Sequence, residues 1–196
     1  LDKSFGYVLL TWFIMGFANL WTLPLRVDYI TAPEWGIEGS AIFVAMIITV
    51  IPETLRMLLI PYWASLFDRM NFVVLRMILN LFFGLGVLLF FVTSNPWVIG
   101  LGAALIGAAF AGGSIAWNLW VTKYAPPGKT GAYMSVHVSL TGIRGTIGPI
   151  LGFWTVNQIG AQNIGILSCS MMFFATLMLI PQIKHGRNML LKGKSL

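Results

Sequence analysis

Apolar runs of about twenty residues follow one another along this chain, separated by short polar turns. Six can be marked off, at residues 5–27, 41–67, 72–93, 97–122, 132–156 and 164–183. Each is near or above the ~20 residues a helix needs to cross about 30 Å of hydrocarbon at ~1.5 Å per residue. The pattern predicts an all-α membrane protein, with a bundle of six transmembrane helices over residues 1–183 and a basic tail over 184–196. An even number of crossings returns both ends of the chain to one side.

Polar positions are spread unevenly over these spans. The first has a stripe of Trp12, Met15, Asn19, Thr22 and Arg26; the second holds Glu53 and Arg56; the fourth holds Ser114 and Asn118; the fifth holds His137, Thr141 and Arg144. The third and sixth read as apolar at mid-depth, interrupted mainly by Asn80, Ser168 and Ser170. The order is therefore polar, polar, apolar, twice over, as expected of a 3+3 repeat whose units each have two cavity-lining helices and one peripheral helix.

Composition agrees with the membrane reading. The 196 residues are 58% hydrophobic and only 9% charged, with a mean hydropathy of +0.85, against about 25% charged residues in soluble domains. The net charge of +6 requires no nucleic-acid partner, because the charges sit between the spans. With the amino end inside, the inner segments hold Lys3, Arg69, Arg76, Lys123, Lys129, Lys184, Arg187, Lys192 and Lys194, nine of the twelve basic residues. The outer segments hold Arg26, with the acidic loop of Asp28, Glu34 and Glu38. The positive-inside rule then predicts a plasma (inner) membrane protein with both termini cytoplasmic. The tail would serve as an anchor to the anionic leaflet.

Ionised side chains near the bilayer centre are costly and normally face a bundle interior or a wet cavity. The stretch PETLRMLLIPYWASLFDRMNFVVLR, residues 52–76, is unusual in that respect. Glu53 and Arg56 stand at i,i+3 on one face, where they can partly neutralise each other, and Pro52 and Pro61 interrupt the helix ladder around them. Glu53 is the candidate protonatable coupling residue; a permanent ion pair with Arg56 is the other reading. Arg144 lies about 15 residues beyond Lys129, or ~22 Å along a helix, where it would anchor an anionic group of a solute or pair with Glu53 across a cavity. Two intramembrane arginines against one glutamate favour an anionic or polar solute. Asn19, Asn118 and His137 complete the candidate substrate and coupling set, His137 as a proton relay nearer the cytoplasmic mouth. On the fifth span His137, Thr141, Arg144, Gly148 and Gly152 share one face, and Val136, Leu140, Ile143, Ile147 and Ile150 another.

Small residues recur at spacing four on the fourth span, as Ala103, Gly107, Ala111 and as Ala104, Ala108, Gly112, Ala116. The fifth has Gly145, Gly148 and Gly152 beside Pro149. Such spacing lets neighbouring backbones approach, and packing rather than hinging is the expected role.

The segment Ala64-Ser-Leu-Phe-Asp68-Arg69-Met-Asn71 resembles the cytoplasmic signature between the second and third helices of each half of the major facilitator superfamily. Leu66, Asp68 and Arg69 match that pattern, Ala64 and Asn71 stand where it has glycines, and Phe72-Val73 replace its basic pair. The resemblance extends to topology over the whole chain. It implies the carboxyl-terminal six-helix half of a twelve-helix secondary transporter working by alternating access, with the first, second, fourth and fifth spans lining the cavity. Asp68 and Arg69 would then be a conformational latch. Residues 141–152, with Gly145, Gly148, Pro149 and Gly152, are similar to the Gly-Pro motif of antiporters in that family. That motif belongs to the fifth helix of the first half, so here it marks either a parallel in the second half or the opposite half assignment, and antiport is not inferred.

The expected partners are a small-molecule solute, the lipid bilayer, and either a missing amino-terminal six-helix half or a second copy. The start at Leu1 and a first span too long for a signal-peptide core point to a piece of a longer chain. No cofactor or metal is expected, since Cys169 is the single cysteine and no metal-ligand spacing occurs. An intramembrane serine protease would need a glycine-flanked nucleophile and a histidine on another span. Ser114 lacks the following glycine, and no His-Glu-x-x-His pattern is present, so no catalytic residue is assigned. A channel or a non-transporting subunit is the alternative to a transporter, although no selectivity-filter-like loop is visible.

Overall fold

The computed structural model describes residues 2–186. Lys184 and His185 fall inside that range, while Arg187, Lys192 and Lys194 of the expected tail lie outside the described residues.

The chain forms helices α1 (Lys3–Thr22), α2 (Leu25–Thr31), α3 (Ala41–Ala45), α4 (Ile51–Arg69), α5 (Phe72–Phe91), α6 (Pro96–Leu119), α7 (Thr130–Ile159) and α8 (Ala161–Met178). Short side chains start most of the crossings by satisfying the first free amides of a helix. Asp2 Oδ1 accepts from the Ser4 amide, Ser40 Oγ from Phe43, Asn71 Oδ1 from Val73 and Asn95 Oδ1 from Trp97. α1 and α2 make one nearly continuous rod, broken near Pro24. A five-residue π-helical segment, Met46–Val50, joins α3 to α4, and its Ile51 amide donates to the Met46 carbonyl five residues back. Pro52, which has no N–H to continue the ladder, follows at once.

Six helical rods result, as the apolar runs predict. Five of them are long and apolar enough to cross a membrane: Lys3–Thr31, Ala41–Arg69, Phe72–Phe91, Pro96–Lys123 and Ala161–Gly186. α7 has the length, with 30 residues or ~45 Å at ~1.5 Å per residue, but His137, Arg144 and its serines, threonines and glycines lower its apolarity. The described residues are thus all-α, with helices whose length and apolarity suit a membrane location.

The rods run alternately up and down. Ser4 Oγ donates to Gln182 Oε1 at 2.9 Å and Asn71 Nδ2 to the Ile183 carbonyl at 2.8 Å, so the start of α1, the α4–α5 turn and the end of the α8 rod meet at one end. Lys3, Arg69, Lys123, Lys129 and Lys184 gather there, and Asp28, Glu34 and Glu38 lie at the other end. α5 packs on α6 and α8, α1 on α7 and α8, and α4 on α6. α4 and α7 are thus the flanks, and they carry many of the exposed apolar side chains, Met57 at 74% and Ile150 at 66% among them.

Small residues set these approaches. A Cβ at Gly102 would stand 2.8 Å from the Gly86 carbonyl oxygen, and one at Gly148 would stand 3.1 Å from Leu20 Cβ. Gly152 meets the Trp21 carbonyl. Packing is therefore the role of Gly148 and Gly152, whereas nothing lies within 4 Å of a Cβ at Gly145. Buried apolar side chains fall into two clusters, one toward each end. Phe90, Phe91 and Ile164 mark the acidic-end cluster, and Phe5, Trp120 and Phe72 the basic-end one.

Candidate functional site

A cavity of about 400 Å³ opens where the two apolar clusters meet, lined from α1, α4, α5, α6 and α7. α8 contributes nothing to it, as expected of the sixth span. The third span, expected to be peripheral, does contribute, through Arg76 and Phe83.

Arg76 is the main difference from the sequence reading, which placed it among the inner-segment charges. The turn between α4 and α5 is only Met70 and Asn71, so residue 76 lies in the second turn of α5, and its side chain is 1% exposed. Its guanidinium carbon lies 3.4 Å from the centroid of the Trp12 ring, and Nη2 donates to Met15 Sδ at 3.1 Å, a weak acceptor. Arg26 is likewise buried rather than in a loop, and its Nη2 donates to Asn19 Oδ1 at 3.0 Å.

Arg144 reaches the same tryptophan from α7. Its Nη1 donates to the Trp12 carbonyl and its Nη2 to Thr141 Oγ1 at 3.2 Å, while its Nε has no partner among the described residues. It does not pair with Glu53. Gly16 makes the contact possible, because a Cβ at that position would overlap the guanidinium. The guanidinium lies in a notch on the α1 backbone. Alanine at an ordinary helical glycine stabilises by roughly 0.5–1 kcal/mol. Gly16→Ala is expected to do the reverse here, costing about 1.5–3 kcal/mol of stability by displacing a charge-assisted hydrogen bond of the buried Arg144 guanidinium. Thermal melting of the purified variant checks this, and an unchanged or raised melting temperature would mean that the notch is irrelevant.

Glu53 and Arg56 form the expected pair, with Arg56 Nη1 3.3 Å from Glu53 Oε1. Their side chains are 52% and 40% exposed, so the pair stands at the rim of the bundle rather than inside it. Arg56 lines the main cavity, and Glu53 lines a second one of about 230 Å³ together with Arg26. Phe110 borders both.

Asn19, Ser114 and Asn118 line the main cavity. Asn118 Nδ2 donates to the Ser114 carbonyl at 2.7 Å, and Ser114 Oγ to the Ala111 carbonyl at 2.8 Å. His137 lies two turns from Arg144, 1% exposed, with the rings of Trp12, Trp117 and Trp120 at 5.2–5.3 Å. Its Nε2 has no partner among the described residues. Asp68 and Arg69 are exposed at the end of α4, away from the cavity, with no ion pair among the described residues.

The cavity is thus rich in donors and poor in free anionic acceptors. Its lining includes three guanidiniums, those of Arg56, Arg76 and Arg144, and, among the described residues, no carboxylate. Glu53 offsets one of them. Removing an ion from water costs several kcal/mol even after relaxation, and a cation–π contact returns only about 0.5–2 kcal/mol. The Trp12 stack therefore leaves Arg76 short of full compensation.

No protein-family model matches this sequence, and no curated protein shows significant similarity to it.

Proposed function

We propose that this chain is a six-helix bundle of a secondary transporter of the major facilitator kind, moving a small anionic solute by alternating access. The observation that carries the reading is the cavity charge, with two guanidiniums at mid-bundle and no carboxylate among the described residues that line the cavity. A buried uncompensated charge is a functional feature by default in a membrane protein.

The packing order supports a 3+3 repeat. Exchanging the rods of α1, α4 and α5 for those of α6, α7 and α8 turns the α1–α7 contact into α6–α4 and α1–α8 into α6–α5, and leaves α5–α8 unchanged. The basic end supports a cytoplasmic placement of both termini. The exposed faces of α4 and α7 are the surfaces that a second six-helix unit would cover, whether from the same chain or another copy.

The test is solute counterflow in proteoliposomes holding the full-length gene product. Saturable, protein-dependent exchange of a small anion is expected. Absence of flux, or unitary conductance steps in a planar bilayer, would replace this reading with a non-transporting subunit or a channel. In the same vesicles, Glu53→Gln is expected to abolish uptake driven by an imposed proton gradient and to spare exchange. Equal loss of both would make Glu53 only the partner of Arg56.

A further inference from the structure

We propose that Arg76 and Arg144 together bind the two negative charges of one small dianion, a dicarboxylate or a phosphate or sulfate oxyanion, so that the cavity selects dianions over monoanions. This rests on the cavity being the solute site and adds the charge that the solute must carry.

The geometry points to it as follows. Arg76 comes from α5 and Arg144 from α7, and both converge on Trp12 of α1, one over its ring and the other on its carbonyl. Both line the cavity and are at most 5% exposed. Stacking on an indole holds a guanidinium plane while leaving its N–H edge available in that plane. For Arg76 the side-chain partner among the described residues is a thioether, so its fork lacks an oxygen acceptor. The nearby carboxylate, Glu53, is engaged by Arg56 on the rim. A monoanion would compensate one of the two buried charges and leave the other, whereas a dianion compensates both. The third span brings the second charge, so the requirement arises only when α5 and α7 both bring their arginines to the cavity beside Trp12 of α1.

The experiment measures binding to the purified full-length protein in detergent by calorimetry, comparing succinate with its monomethyl ester, which is similar in size but has one charge fewer. Sulfate and glycerol 3-phosphate serve as further dianions. Succinate is expected to bind at least about tenfold more tightly than the ester, the worth of one charge-assisted hydrogen bond. Arg76→Gln should erase that difference, and Arg76→Lys should keep part of it. Equal affinity for succinate and the ester, discrimination unchanged in Arg76→Gln, or no binding of any of these dianions would each overturn the proposal. If Arg76→Gln does not elute as a folded species, the comparison on the wild-type protein decides alone. Saturable counterflow of lactate without dianion preference would leave the transporter reading in place and remove this one; no flux of any anion would remove the reading beneath it.

Discussion

Replacing Arg144 with alanine is expected to weaken solute binding by at least about 30-fold while leaving the bundle folded. Truncating one partner of a buried, charged hydrogen bond costs about 2–5 kcal/mol, and every ~1.4 kcal/mol is a decade in affinity. The fold does not depend on the side chain. The Trp12 carbonyl lies inside α1, where the helix ladder supplies its own donor. α7 is held to α1 by Gly148 against Leu20, by Gly152 against Trp21, and by the Trp21 Nε1 bond to Thr155 Oγ1 at 2.8 Å. Loss of an uncompensated buried charge even relieves a desolvation cost. The solute-free melting temperature should therefore be equal or higher, and the stabilisation given by added solute, about 2.7 kcal/mol at 100 times the wild-type Kd, should fall to about 0.9 kcal/mol or less at the same concentration. A variant still stabilised by solute as strongly as the wild type would take Arg144 out of the site.

The largest structural effect is expected from Gly107→Leu. A Cβ at Gly107 would stand 2.5 Å from the Pro52 carbonyl oxygen and 2.6 Å from its Cα. Both are main-chain atoms, so no rotamer change makes room. α4 packs on the bundle chiefly through α6, and a leucine there would separate the two and displace Arg56 from the cavity rim. Overpacking costs typically about 1–3 kcal/mol where neighbours can shift, and a backbone cannot shift cheaply, so most of the variant should aggregate on extraction. Gly142→Leu on α7 is the control, since nothing lies within 4 Å of a Cβ there. Size-exclusion profiles after stepwise heating report both variants. Equal melting temperatures would mean that α4 and α6 do not touch at Gly107.

The rods were legible because apolar length is nearly all that a membrane span requires; the caps Asp2, Ser40, Asn71 and Asn95 were a further signal that the apolar pattern did not use. Arg144 was legible for a related reason: a charge far from any turn must lie deep. Arg76 was not, because counting charges by proximity to a turn ignores how short that turn is. With Asn71 as the cap, Arg76, Asn80 and Phe83 fall at i, i+4 and i+7 on one face, and that spacing was the available signal. The notch at Gly16 was beyond reach of pattern. It depends on which residue of α7 opposes which residue of α1, and no periodicity within either helix encodes that register. The exposure of Glu53 is of the same kind, because a helix face becomes inner or outer only once its neighbours are known.

The peripheral seat of α4 bears on how the chain enters the bilayer. Synthesis proceeds from the amino end, so α4 emerges before α6, the helix that will hold it. For that interval Glu53 and Arg56 have no neighbour to shield them. Their 3.3 Å bond lies within one helix turn and needs none. The helix brings its own counter-ion, and the translocation machinery receives a segment far closer to neutral than its residue list suggests. Arg76 and Arg144 have no such local partner, and their entry falls to the helices already waiting, α1 above all, whose Trp12 would act as their first receptor during assembly.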